Sequence, residues 1–249
     1  MTEELFRRDA TLVACTARVQ AVDAPGIVLD RTVFYPLGGG QAGDAGWLEL
    51  ADGGCIAMID TRKEKDAAGQ ATGRICHLPA AGQEAVLARL RPGDVVTARI
   101  DGARRQRLMR LHTASHLMCH LVGRPVDGCS ITPERCRIDF HMTEPLERDA
   151  LSAGLARLVA AALPVAVGSI ADAELDAHPE LVKSMSVQPP RGSGTVRTIR
   201  IGAPGVEAID LQPCGGTHVA NTAEIGAVVV TRIEKKSART RRVVLEFAG

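Results

Sequence analysis

Aromatic side chains are nearly missing from this chain of 249 residues: one Trp, one Tyr and four Phe, 2% in all. Its core must be built from Ala, Val, Leu and Ile, for which a hydrophobic fraction of 45% is ample. The same scarcity argues against recognition of nucleic acid through many base-stacking platforms. An excess of either charge is missing as well. With a net charge of +1, contact with a polyanion must rest on local basic patches rather than a global field. No uncharged run approaches the ~20 residues of a membrane span. Arg7, Arg8 and Asp9 precede any apolar run, which is not the order of a signal peptide. Seven cysteines, an odd number without a disulfide-like framework, fit a reducing compartment. The expectation is a soluble cytoplasmic protein without membrane contact.

What is present divides in two. The length suits one large domain or two of ordinary size. Residues 11–100 read as short strands separated by glycine turns: 11–19, 26–30, 32–35, 47–50, 55–59, 73–78 and 94–100. That pattern predicts a small barrel or sandwich, with Lys63–Asp66 as a solvated loop. From Asp101 to Gly123 the chain supports one helix, Asp101 serving as N-cap and Gly123 as the stop. Leu108, Leu111, Ala114, Ser115, Met118 and Val122 share one face, with His112 and His116 on its border. Further on, 136–141, 165–170, 196–201, 226–233 and 241–247 read as strands, 147–163 as a second helix and 171–178 as a short one. Gln188–Gly194 reads as a loop. The predicted fold class is α+β: an N-terminal small β-barrel over residues 1–95, then an α+β domain over 96–249 with a mainly antiparallel sheet and a metal-ligand helix. The turn Arg91-Pro-Gly-Asp94 marks the change.

Two clusters carry chemistry. His112 and His116, four apart, place both imidazoles on one side of a helix. Cys214 and His218 are also four apart, but Pro213, Gly215 and Gly216 suit a tight turn. Three imidazoles and one thiolate fit tetrahedral zinc if the two clusters meet. His120 continues the stripe and is a rival ligand, expected to be exposed or to lie behind the ligands. The helix pair is not that of a zinc peptidase, because Thr113 stands where the general-base glutamate would be.

His112-x-x-x-His116, Cys214-x-x-x-His218 and Phe34-Tyr-Pro-Leu-Gly-Gly-Gly-Gln-Ala-Gly-Asp-Ala-Gly46 together resemble the alanyl-tRNA editing proteins. These are free-standing relatives of the editing domain of alanyl-tRNA synthetase. Gly128-Cys-Ser-Ile, Arg137-Ile-Asp-Phe140 and Arg197-Thr-Ile-Arg-Ile-Gly202 extend the likeness over essentially the whole chain. The resemblance implies an aminoacyl-tRNA deacylase acting in trans, which hydrolyses the ester joining serine, or glycine, to alanine tRNA. It implies Zn2+ on His112, His116, Cys214 and His218, with a zinc-associated water placed by those ligands. ATP use is not expected, since the first half reads as a barrel rather than a ligase core. Gln41, in the loop of Gly38, Gly39 and Gly40, is expected to border the editing pocket, its loop shaped by Asp44 and Gly46. Thr113, Cys129, Ser130 and Asp139 are the other pocket candidates. Thr113 reads equally as a helix-packing residue, and Asp139 as a turn residue or the partner of Arg137. Cys129 departs from a small hydroxyl residue frequent in relatives, a role that Ser130 is placed to take.

Four protein ligands close a tetrahedral site, an arrangement usual for structural zinc. Either the metal takes a fifth ligand, or it positions the substrate while an ordinary water attacks. Two basic clusters, Arg104, Arg105, Arg107 and Arg110, and Lys235, Lys236, Arg239, Arg241 and Arg242, are candidates for tRNA phosphate contacts; a solvated face is the plainer alternative. Two other functions remain open: a non-catalytic tRNA-binding module with structural zinc, and a zinc hydrolase of small esters that has no need of the basic clusters.

Overall fold

The computed structural model describes residues 1–23, 25–189, 192 and 194–249. Of the expected 188–194 loop, Pro190, Arg191 and Ser193 lie outside the described residues. The chain forms two compact units, Met1–Gly38 with Ala42–Gln106, and Gly39–Gln41 with Arg107–Gly249.

The first unit contains β1 (Glu3–Glu4), β2 (Ala14–Asp23), β3 (Gly26–Leu29), β4 (Arg31–Thr32), β5 (Gly46–Leu50), β6 (Cys55–Lys65), β7 (Ala71–Pro79), α1 (Glu84–Leu87) and β8 (Val95–Ile100). Six of these close a barrel in the order β2-β3-β7-β6-β5-β8. Closure removes free edges, and alternation along each strand sends one set of side chains inward. Val19, Ile27, Leu29, Leu48, Ile56, Val96 and Ile100 fill the interior, the aliphatic core that so few aromatics require. Two expectations are corrected. Lys63, Glu64 and Lys65 are the end of β6 rather than a loop, because Lys63 and Lys65 pair with Ile75 and Ala71. Residues 33–35 are not a strand: Val33, Phe34 and Tyr35 are buried outside the named strands, and Tyr35 O accepts from Asp44 N at 2.9 Å. The last barrel strand and the first turn of the following helix group with this unit, beyond the Arg91–Asp94 turn.

The second unit continues α2 (Gly102–Val122) and adds β9 (Val126–Ile131), β10 (Arg135–His141), α3 (Arg148–Ala160), β11 (Val165–Ala171), α4 (Asp172–Ala177), β12 (Thr195–Ile201), β13 (Asp210–Pro213), β14 (Val228–Ser237) and β15 (Thr240–Phe247). Two antiparallel sheets result, β14-β15-β10-β9 and β11-β12-β13. Asp101 caps α2, its side chain accepting from Arg104 N at 2.9 Å. Gly123 ends it in the left-handed region at φ 62°. The expected apolar stripe is only part of the picture. Leu111 through Cys119 are all buried, so α2 is enclosed on every side there and the histidines are interior, not on a border. Among the described residues no helix is long and apolar enough to cross a membrane.

Candidate metal centre

His112 and His116 project from the middle of α2, and Cys214 and His218 from the loop after β13. Their ligand atoms all lie within 4.8 Å of one another. Cys214 Sγ is 3.5 Å from His112 Nε2 and 3.3 Å from His218 Nε2. Ligands at the corners of a zinc tetrahedron with bonds of ~2.0–2.3 Å sit about 3.3–3.7 Å apart, so the donor types and the two Cys214 distances fit that ion. The four residues can hold a metal. His120 is exposed and outside the group.

Each imidazole offers Nε2 because its Nδ1 is engaged elsewhere. His112 Nδ1 donates to Gln41 Oε1 at 2.7 Å, and His116 Nδ1 to Asp210 Oδ2 at 2.8 Å. Thr113 Oγ1 gives its proton to Met109 O, so it accepts from His218 Nδ1 at 3.1 Å. Such partners fix the tautomer and the ring plane. Gln41 is itself clamped: its Nε2 donates to Thr217 Oγ1 at 2.8 Å, and Thr217 N donates to its Oε1 at 3.1 Å.

Two glycines make this assembly possible. A Cβ at Gly216 would stand 2.1 Å from His112 Cε1, and at Gly40 2.8 Å from the Cys129 carbonyl oxygen. Gly40 also has φ 85°, a conformation that side chains resist.

Electrostatics favour a thiolate among the imidazoles. Burial opposes charge on Cys214, yet His112 and His218 hold its pKa well below that of an ordinary thiol. Burial also opposes charge on His116, but hydrogen bonds with Asp210 and Cys214 and their negative charge raise its pKa to about 10. His218 is pushed down to about 3 by burial and by its imidazole neighbour His112. Cys214 is the partly exposed member of the group.

The structure revises several expected roles. Thr113 is buried behind the ligands, which suits orientation of His218 rather than contact with a substrate. Gln41 is fully buried and grips His112. Cys129 lies opposite Ile138 on β10, on the face of the buried Ile138, while Ser130 lies opposite Arg137 on the other face. Neighbours in a strand point to opposite sides, so Ser130 does not stand in for Cys129. Asp139 pairs with Arg242 at 2.7 and 2.8 Å, not with Arg137. Asp44 is buried in an ion pair with Arg105, and it also accepts from Tyr35 N at 2.6 Å. Burial pushes the Asp44 carboxyl up in spite of that guanidinium. Gly46 begins β5, where a Cβ would meet the Arg99 carbonyl at 2.2 Å, and Gly38 O accepts from Tyr35 OH. Gly39, at φ 58°, is exposed at the loop tip.

Most of the expected phosphate contacts are engaged elsewhere. Arg105 is buried; Arg241 is buried and donates to Ser237, Thr240 and Thr143 carbonyls. Arg242 belongs to Asp139, and Arg104 donates to Gly43 O. Arg107 and Arg110 lie 4.2 and 4.4 Å from the Phe247 ring centroid. Lys235, Lys236 and Arg239 remain exposed. Sequence reasoning missed Asp210, Gln212 and Thr217. A faint signal existed for Asp210, the last carboxylate before residues 211–223, which contain no Lys, Arg, Asp or Glu.

The family described as Threonyl and Alanyl tRNA synthetase second additional domain matches residues 196–244. An Alanyl-tRNA editing protein AlaX-M of Saccharolobus solfataricus is 31% identical over 98% of both chains. Its namesake in Methanosarcina barkeri is 32% identical, again over 98% of both. An alanine–tRNA ligase of Metallosphaera sedula is 35% identical over 84% of this chain, but over only 22% of its own length. Full-length correspondence at this identity settles the kinship, and the chain belongs to the alanyl-tRNA editing protein family.

Proposed function

We propose that this protein is a trans-editing aminoacyl-tRNA deacylase: it hydrolyses the ester that joins serine, and secondarily glycine, to alanine tRNA, on a zinc ion held by His112, His116, Cys214 and His218. The observation that carries the reading is the convergence of four soft or borderline donors, each imidazole with its Nδ1 committed to a separate acceptor. The deacylase chemistry is assigned to the second unit, Gly39–Gln41 with Arg107–Gly249, and the barrel, through β8, to the first. A cytoplasmic location and no use of ATP go with this reading.

When bound, zinc supplies a Lewis acid that polarises the ester carbonyl and lowers the pKa of water toward ~7. The protein's own residues do the rest. Asp210, Gln41 and Thr113 keep the three Nε2 atoms turned inward, and Gly216 N donates to Cys214 Sγ at 3.4 Å, favouring the thiolate. The enclosed stretch of α2 around the ligands excludes bulk water, which strengthens electrostatic interactions there. Gln41, fixed between His112 and Thr217, holds the glycine loop against β9 through its bridge to Ile131. In this reading Cys129, beside Gly40, limits the space available to the amino acid.

The test is deacylation of alanine tRNA carrying serine, glycine or alanine, by wild type and Gln41→Ala, with and without chelator. Serine release that a chelator abolishes, with alanine spared, is the expected result. Gln41→Ala should lower the rate 10-fold or more, as loss of a partner that orients a ligand does. The closed four-donor set favours one competing reading, a tRNA-binding module with structural zinc. Tight tRNA binding without turnover would establish it. Equal hydrolysis of free amino-acid esters would instead mark a small-ester hydrolase.

A further inference from the structure

The end of β9 away from Gln41 borders a second feature, a cavity of about 270 Å³ lined by Arg124, Pro125, His141, Met142, Thr143, Glu144 and Arg239. Its walls are held in place. His141 Nδ1 lies 3.0 Å from Asp127 Oδ1, and the other oxygen of that carboxylate accepts from Thr240 at 3.0 Å. Met142 N donates to Arg239 O at 3.0 Å, and Arg241 donates to Thr143 O. The last residues of β10 are thus stitched to the β14–β15 turn. Two arginines from separate elements line this cavity: Arg124, just past the end of α2, and Arg239, in the turn. Arg124 is held by Glu144 at 2.9 Å, but both side chains are about half exposed, at 49% and 54%. Solvent screens such an exposed pair, so a stronger anion can displace the carboxylate.

We infer that this cavity is a backbone-phosphate subsite for the RNA whose 3′ end reaches the metal group. The inference rests on the aminoacyl-tRNA reading above. Three observations carry it. Of the predicted contacts on the β14–β15 hairpin, Lys235, Lys236 and Arg239 stay exposed and Arg239 lines the cavity, whereas most of the other predicted contacts are buried or paired. Guanidinium forks match phosphate oxygens in a bidentate way, which a lysine cannot do. The volume falls below the ~300–1,000 Å³ of pockets that enclose a whole drug-sized ligand, and suits one phosphate with its sugar. The spacing is also reasonable. Val126 borders this end of β9 and Ile131, five residues on, bridges to Gln41. At ~3.4 Å per residue that is about 17 Å, a span of several nucleotides back from the acylated end. With a chain charge of only +1, binding must depend on such local contacts.

The test is fluorescence anisotropy of labelled, uncharged alanine tRNA over about 50–200 mM salt, using the full zinc-loaded chain. Wild type is compared with Arg124→Ala/Arg239→Ala, with the matching double Lys variant, and with Arg148→Ala on α3 as a control. Each phosphate contact contributes about 0.7–0.9 to the salt slope. The double Ala variant should therefore bind about tenfold more weakly, with a slope shallower by about 1–2. The Lys variant should recover most of the slope but less of the affinity, and the control should match wild type. In serine release, KM should rise while kcat holds. Unchanged slope and affinity in a folded double variant overturn the subsite and leave the deacylase reading intact. Should the double variant not fold, Arg239→Gln in the exposed turn decides by the same slope. Arginine-dependent binding by a wild type that releases no serine sinks the deacylase reading but keeps the subsite. A wild type that does not bind tRNA overturns both.

Discussion

Asp210 is the one carboxylate among the three acceptors that fix the imidazoles, and its charge distinguishes it from Gln41 and Thr113. Its Oδ2 takes the proton of His116 Nδ1 and a bond from Gln212 Nε2, while Lys183 lies 3.4 Å from Oδ1. Burial works against its ionisation, but His116, Gln212 and Lys183 hold its pKa below the usual carboxylate value. Asp210→Asn keeps an acceptor for His116 and removes the charge. Zinc affinity should fall 10–100-fold, the usual effect of losing such a partner. Competition against a chromophoric chelator measures this, and an affinity equal to wild type would show that hydrogen bonding alone suffices. The ligands themselves were visible as residues four apart. Asp210 was not, because its partner is 94 positions away and no local period links them.

At the scale of elements, the glycine loop and the first turn of α2 are joined by the buried pair of Asp44 and Arg105. Arg105 also donates to Ala10 O at 2.8 Å and Val33 O at 2.7 Å. In sequence it looked like one more member of a basic run. Only burial distinguishes a structural guanidinium from a solvated one, and burial is not a local property. Asp44→Ala strands that guanidinium without a counter-charge, which should destabilise the barrel unit by about 3–5 kcal/mol. Trp47, the single tryptophan, sits in β5, so its fluorescence in urea reports on the barrel. A midpoint within error of wild type would mean that Arg105 relaxes to solvent. The element types of α2, α3 and most strands were legible from apolar period and turn residues. β9 and β13 escaped notice: β9 carries Gly128 and Asp127, poor strand formers, and β13 is four residues long. Both exist because a neighbouring strand supplies their hydrogen bonds.

For the molecule as a whole, stability should fall in mild acid for a reason located in the barrel. His77 is fully buried, with Nδ1 donating to Ile27 O at 2.9 Å and Nε2 accepting from Thr32 OH at 2.8 Å. Burial lowers its pKa from 6.5 to about 4, the Ile27 carbonyl offsetting only part of the shift. Between those values the unfolded chain binds a proton that the folded chain refuses. Stability is therefore full above pH ~6.5 and is lost as pH falls toward 4, by about 3 kcal/mol in total. Unfolding free energies from urea curves followed by Trp47 should differ between pH 7 and pH 5 by about 2 kcal/mol in wild type and by much less in His77→Gln. Equal pH dependence in the two would assign the effect to carboxylates elsewhere. Taken alone, the sequence determined the class of fold, the aliphatic character of the core and the identity of the four donors that converge. These follow from composition and from periods of two to four residues, which the backbone geometry imposes on any chain. The tertiary structure decided which acceptor holds each imidazole, which arginines are interior, and where exposed cations gather. Those outcomes depend on desolvation and on contacts between residues a hundred positions apart, and no short-range pattern encodes either.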